Sequence, residues 1–423
     1  METLTLGSRG PNVKLIQSLL NRIGYSVGAV DGVFGVQTQQ AVIAFQRNNE
    51  LSPDGIVGPA TWRVFNRLLL GYDTYTIRSG DTLYNIAARY YTTVNAIQTA
   101  NPGINPNALA VGQRIVVPYG IDIVFTDIDY TYEIMERQIS GLKARYPFIE
   151  VSSIGNSVMG KNLYCIRLGK GSNEVTYNGA HHANESITVP LLMKFIENFS
   201  KAYANRQSIR GYNVASIWDS SSIYIVPMVN PDGVNLVNYW PNYTSPAYQE
   251  AARLNTTGLP LPRVWKANIR GVDLNSNYPA DWEKDRELKR QLGITGPAPR
   301  DWGGPSPLSE PESAAMVNFT NQHNFRLVIA YHTQGEIIYY QYENLAPPVS
   351  RRIAEMFSRA SGYSISEGPA EASYAGYKDW FIQDYRRPGF TIEVGIGVNP
   401  LPLSQFPTIY NQNEEIMLLA AIV

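Results

Sequence analysis

The sequence predicts a multidomain chain: a small α-helical bundle over residues 1–70, a small α+β unit of order βααβ over 74–119, and a large α/β domain with a mixed sheet flanked by helices over 124–423. Three observations carry this reading. At 423 residues the chain is too long for one ordinary domain. Its texture changes twice, from amphipathic helices with glycine turns to a short strand-bounded unit, then to alternating strands and helices. Hydrophobic residues make up 44% and charged residues 17%, the balance of a chain that buries a core.

In the first segment, "NVKLIQSLLNRIGY" sets Val13, Ile16, Leu19, Leu20 and Ile23 at helical spacing, and "TQQAVIAFQRNN" repeats the pattern with Ala41, Val42 and Phe45. "DGVFG" turns the chain between them, and "SPDGIVGPATWRVF" echoes that turn before a third helix. In the second segment, "YTIRSGDT" is a strand running into Ser79 or Asp81 as N-cap for "TLYNIAARY". "VNAIQTANP" is a second short helix stopped by Pro102, and "QRIVVP" closes the unit as a strand.

The order of these elements carries two resemblances. Residues 4–66, with their paired "DGxxG" turns, resemble the peptidoglycan-binding domain of bacterial cell-wall hydrolases. Residues 75–118, with "SGDTL", the "NP" after the second helix and "GQRIVVP", resemble a LysM module. That resemblance implies a groove between a helix start and a neighbouring loop that holds N-acetylglucosamine-containing chains.

The large segment begins with the helix "TYEIMERQISGLKARYP" and the strand runs "IEVSSIG", "NLYCIRLG" and "EVTYNGA". The helix "ITVPLLMKFIENFSKAY" follows, then the strands "SSIYIVPMVN", "FRLVIAYHT" and "GFTIEVG". Cys165, the single cysteine, lies in an alternating strand and reads as a buried inert thiol. A net charge of −1 without long like-charge blocks argues against nucleic acid or anionic membrane as the main partner. No apolar run reaches ~18 residues, so no membrane span is expected. The opening "METLTLGSRGPNVKL" shows no signal-peptide pattern. Nothing in the pattern implies an oligomeric state.

Four histidines are present, and two are adjacent in "GAHHANESI". This stretch lies between a strand and a helix, at the strand's carboxyl end, where open α/β sheets put their ligands. His182 and Glu185 are spaced H-x-x-E. A catalytic zinc takes three protein ligands and keeps one open position for water, so another strand-end histidine is required. His323, in "NQHNF", reads as a surface residue. His332, ending "LVIAYH", completes the candidate set His182, Glu185 and His332. Imidazole and carboxylate donors suit zinc, with cobalt or manganese as substitutes in vitro.

The segments "GNSVMGKNLYCIRLG", "NGAHHANES", "VPMVNPDGVN", "WKANIRGVDLNSNYP", "LVIAYHTQG", "YKDW" and "GFTIEVG" occur in the order found in the zinc carboxypeptidase family. The resemblance runs from about Tyr130 to the C-terminus. It implies zinc on His182, Glu185 and His332, and leaves His181 as either a neighbour filling the strand-end pocket or a substrate contact. It also implies a catalytic base at Glu393, a glutamate among Phe390, Ile392 and Val394 that would be costly to bury without a purpose. The oxyanion needs a cation. Lys266 and Arg270 both precede "DLN", and Lys266 is preferred by its position after Trp265.

One departure bears on specificity. The family grips a terminal carboxylate with an Asn-Arg pair, but this chain keeps Asn275 and carries Ser276 in place of the arginine. A hydroxyl does not replace a bidentate guanidinium. The family's mobile tyrosine falls near Tyr374 or Tyr377, while a gap-free count lands on Glu371. Wall-binding modules joined to a peptidase without its arginine clamp resemble the γ-D-glutamyl-diamino acid endopeptidases of peptidoglycan. A carboxypeptidase trimming stem peptides is the alternative, and a non-catalytic wall-binding protein is the alternative of another class. The expected place of action is the bacterial wall, after secretion or during sporulation.

Overall fold

A computed structural model describes residues 2–241, 243–368 and 374–423. They fall into two compact units: residues 1–129 with 133–150 and 200–206, and residues 130–132 with 151–199 and 207–423.

In the first unit, α1 (Pro11–Arg22), α2 (Val36–Asn48) and α3 (Pro59–Leu70) form the expected bundle. Val13, Ile16, Leu19, Leu20, Val42 and Phe45 are all buried in it. The two "DG" turns are built alike around buried glutamines. Gln17 Nε2 donates to Asp31 Oδ1 at 2.9 Å and its Oε1 accepts from Gly32 N at 2.9 Å. Gln46 repeats this with Asp54 at 2.8 Å and Gly55 N at 2.9 Å. Gly32 and Gly55 stand at φ +76° and +71°, a conformation that a Cβ would strain.

β1 (Tyr72–Thr76) pairs antiparallel with β2 (Arg114–Pro118), with α4 (Leu83–Arg89) and α5 (Val94–Ala100) between them in sequence. The helix cap differs from expectation. Thr82 caps α4, its hydroxyl accepting from Asn85 N, while Asp81 accepts from Arg78 N and Tyr75 Oη. Asp81 is drawn into the turn one residue too early to reach the helix start. The helix α6 (Tyr132–Arg145) follows this module.

The second unit is built on an eight-stranded mixed sheet. Its strands are β3 (Glu150–Asn156), β4 (Asn162–Gly169), β5 (Asn173–Gly179), β6 (Ser221–Val226), β7 (Leu327–His332), β8 (Ile337–Tyr339), β9 (Ser364–Ser366) and β10 (Gly389–Glu393). In space they run β9-β8-β10-β7-β5-β6-β4-β3. β10, β7 and β5 are adjacent and mutually parallel, so their carboxyl ends open on one edge.

Val328 and Ala330 face one side, packed with Met316, Trp380 and Phe381. On the other side Tyr177 donates to Met417 O and packs on Phe195. Helices cover both faces, as parallel strands require. β8 and β9, three residues each, are too short to leave a periodicity that sequence alone could reveal. Cys165 is buried, and burial pushes its thiol up to about 12. No helix of the described residues is long and apolar enough to cross a membrane.

Candidate metal centre

His182 and Glu185 stand on the loop between β5 and α7 (Thr188–Ala204). His332 is the last residue of β7, and Glu393 the last of β10 and its direct partner in register. The parallel strands thus deliver these groups to one edge, from positions separated by up to 211 residues in sequence, the span from His182 to Glu393 (393 − 182). The loop is tied down from several sides. Asn230 Nδ2 donates to His181 O and to Ala267 O, both at 3.0 Å, and Ala183 N donates to Lys266 O at 3.0 Å. Thr188 caps the turn, accepting from Ala180 N and donating to Glu185 O.

His182, Glu185 and His332 are the metal-competent group among the described residues. His182 Nδ1 lies 2.8 Å from Glu185 Oε1, His332 Nδ1 lies 3.0 Å from Glu185 Oε2, and the two Nδ1 atoms are 3.2 Å apart. The edges of a zinc tetrahedron with bonds of about 2.0–2.1 Å are about 3.3 Å, so the donor set fits that ion. The two Nδ1 atoms and the Glu185 carboxylate crowd one another, the arrangement that the ligands of one metal ion take. His182 Nε2 faces Asp273 Oδ1 at 3.2 Å, the outer carboxylate that orients a ligating histidine. Thr333 N, at 3.1 Å, and Asn399 Nδ2 donate to Glu185.

The charges follow from this crowding. Burial opposes protonation of His182, but Glu185 and Asp273 outweigh it and hold its pKa up at about 9. Burial lowers that of His332. Burial also works to raise Asp273 and Glu185, yet His182 and Lys266 hold both carboxyls well below the usual range. For Glu393, burial and the charge of Glu185 act together and push the carboxyl up to about 8. Its Oε2 has no hydrogen-bond partner.

A cleft of about 260 Å³ opens beside this centre, lined by His182, Lys266, Asn275, Ser276, Tyr374 and Glu393 among others. Lys266 Nζ is 3.0 Å from Glu185 Oε1. Arg270 is half exposed, pairs with Glu310 at 3.6 Å and stands away from the cleft. This separates the two cations that sequence left open. Lys266→Ala is expected to lower kcat by about 10²- to 10³-fold, and Arg270→Ala to stay within about twofold of wild type. Steady-state kinetics of both variants on one peptide would check this, and equal losses would sink the distinction.

His181 is fully buried, with Nε2 2.9 Å from Tyr278 Oη, and does not line the cleft. Tyr377 is likewise buried, bonded to Thr320, and its backbone N donates to Asn275 Oδ1. Tyr374 is the tyrosine that reaches the cleft. Glu371 lies outside the described residues. Sequence reasoning quoted Asp273 inside "DLN" without giving it a role, and missed Lys289, Arg300, Asp301 and Lys378, which also line the cleft. A carboxylate opening a tight turn beside an asparagine was the available signal for Asp273. The others had none.

The zinc carboxypeptidase profile matches residues 135–416. The chain belongs to the zinc carboxypeptidase family. A peptidoglycan binding domain profile matches residues 9–65, and a LysM domain profile matches residues 75–118. Among relatives, "Gamma-D-glutamyl-L-diamino acid endopeptidase 1" of Lysinibacillus sphaericus is 43% identical over 388 residues, 79% of this chain and 96% of its own length. "Uncharacterized protein YqgT" of Bacillus subtilis strain 168 is 37% identical over 291 residues, 68% of this chain and 76% of its own. The solved structure of bovine thrombin-activatable fibrinolysis inhibitor, in complex with tick carboxypeptidase inhibitor, matches with a TM-score of 0.54 at 19% identity. It covers 70% of this chain and 97% of that one, a likeness of fold. As a zinc carboxypeptidase family member the chain is a hydrolase of the peptidase type. Its N-terminal modules associate it with peptidoglycan and the cell wall.

Proposed function

We propose that this chain is a zinc-dependent peptidase that hydrolyses the γ-D-glutamyl-L-diamino acid bond of peptidoglycan stem peptides, the diamino acid being diaminopimelate or lysine. The observation that carries the reading is Ser276. It lines the cleft beside Asn275, where family carboxypeptidases place the arginine that grips a terminal carboxylate. Without that clamp, the site is freed from the chain end. The relative named for this activity at 43% identity supports the same bond.

His182, Glu185 and His332 would hold one zinc per chain, which when bound would supply Lewis-acid polarisation of the scissile carbonyl and a water of lowered pKa. Glu393 takes a proton from the attacking water and returns it to the leaving amine as the C–N bond breaks. The Lys266 ammonium steadies the oxyanion. Asn275 and Tyr374 orient the peptide. The division into a peptidoglycan-binding domain (1–70), a LysM module (74–119) and a catalytic domain (124–423) gives the enzyme two anchors on its polymer, which raise the local concentration of stem peptides. Its working place is the wall of a bacterium.

Mass spectrometry of L-Ala-γ-D-Glu-diaminopimelate, with and without a following D-Ala, tests the reading. Release of L-Ala-D-Glu from both peptides is expected. Loss of the terminal residue alone would make the enzyme a carboxypeptidase, and no cleavage with zinc bound would favour a binding role.

A further inference from the structure

The first unit holds a cavity of about 270 Å³, built from residues of that unit alone. Its walls are the turn between α4 and α5, one side of α5, the segment leaving β2, the end of α6 and the end of α7. No residue of the "SGDT" helix start lines it, which sets it apart from the groove that the LysM resemblance implies. The walls are tied together. Asn95 Nδ2 donates to Asn205 Oδ1 at 3.0 Å, joining α5 to the end of α7. Gly120 lets the segment after β2 close on the turn, since a Cβ there would come within 1.9 Å of Tyr91 O. Lys201 Nζ pairs with Asp122 Oδ1 at 2.9 Å, so those two charges offset each other.

Arg145, which also lines the cavity, has no such partner. It is only 8% exposed. Its Nη1 donates to the Ile121 carbonyl at 2.7 Å, its Nε has no hydrogen-bond partner, and among the described residues it forms no ion pair. A guanidinium cannot shed its proton, so a buried one costs free energy until an anion faces it. The groups around it are of another kind. The Tyr91 ring is 90% exposed at the rim, and Tyr119 and Tyr146 add aromatic surface. Thr99 and Asn205 supply a hydroxyl and an amide. Aromatic faces beside hydroxyls and amides suit a sugar ring, apolar on its C–H faces and polar at its edge. Pockets for drug-sized ligands run to roughly 300–1,000 Å³, so about 270 Å³ gives room for one sugar unit.

We propose that this cavity binds an acidic sugar, a single pyranose whose carboxylate meets Arg145 and whose ring lies against Tyr91. In peptidoglycan, the polymer with which the N-terminal modules associate the chain, that sugar is the muramyl unit with its carboxylate freed of peptide. A uronic acid of another wall polysaccharide offers the same chemistry. The carboxylate is the part that discriminates, because a neutral sugar leaves Arg145 without its anion. The site does not depend on which bond the second unit cuts.

Calorimetric titration of the full chain with N-acetylmuramic acid, glucuronic acid and N-acetylglucosamine tests the site. One of the two acids is expected to bind about tenfold more tightly than N-acetylglucosamine, which lacks the carboxylate. Arg145→Met should bring that acid down to the affinity of N-acetylglucosamine. Ala96→Phe, which fills the cavity from α5 and leaves Arg145 in place, should abolish its binding, and Tyr91→Ala should weaken it severalfold. Each variant is checked for an unchanged melting curve, and should Arg145→Met unfold, Ala96→Phe decides alone. A preference for N-acetylmuramic acid assigns the cavity to the muramyl unit, and a preference for glucuronic acid assigns it to a uronate polymer. No binding of either acid by wild type, equal affinity for the acids and N-acetylglucosamine, or acid binding unchanged in Ala96→Phe overturns the proposal.

Discussion

Glu393→Gln lowers kcat by about 10²- to 10⁴-fold and leaves KM and zinc content near wild-type values. The glutamine keeps the shape of the side chain at the end of β10 but cannot accept the proton of the attacking water. Since Glu393 is not among the metal donors, bound zinc should persist. Metal analysis on the purified variant beside single-turnover kinetics would check both halves. Retained turnover would remove Glu393 from the mechanism.

The same carboxyl sets a pH dependence of known sign. Its pKa is raised to about 8 from the ordinary 4.5, by burial and by Glu185. The stability that it contributes is full below about pH 4.5 and is lost as pH rises through about 8. In metal-free protein, wild type should therefore melt progressively below Glu393→Gln as pH is raised from 5 to 9. Activity runs in the opposite sense, because the base must be deprotonated. The acid limb of kcat/KM should lie above pH 4.5.

Stripping zinc with a chelator abolishes hydrolysis, and adding zinc back restores it. Glu185→Gln should be inactive in both conditions and bind zinc at least about 10²-fold more weakly. The donor set is already gathered, with its three contacts between 2.8 and 3.2 Å. What zinc must displace is a proton, because Glu185 and Asp273 hold the pKa of His182 up at about 9. Zinc uptake at neutral pH should release about one proton per site, and affinity should fall about tenfold for each unit of pH lowered. Calorimetry in two buffers of different ionisation enthalpy measures that proton directly. Undiminished activity after the metal is removed would refute the metal assignment.

Much of the site was legible because it is local. H-x-x-E after a strand, a histidine ending a buried strand and a glutamate among Phe390, Ile392 and Val394 are each signals within a few residues. So are the bundle helices, whose apolar spacing shows their buried face, and the paired "DG" turns. Some details were misread for want of geometry. Ser79 and Asp81 looked like the helix caps, but Thr82 takes that place, because only the turn's hydrogen bonds separate them. Tyr374 and Tyr377 both lay close to the expected tyrosine, and burial alone put Tyr377 into the core.

The sequence by itself determined the modules and pointed to the candidate metal donors and to Glu393 as the proposed base, since these depend on residue type and short spacing. The tertiary structure separates Lys266 from Arg270, two cations four residues apart of which the position after Trp265 favoured the first. Only the fold turns the first into the cleft and pairs the second with Glu310. It likewise brought Lys289, Arg300 and Asp301 into the cleft that Ser276 lines. Whether a charge is solvated or buried depends on what packs over it, and residues distant in sequence make that decision.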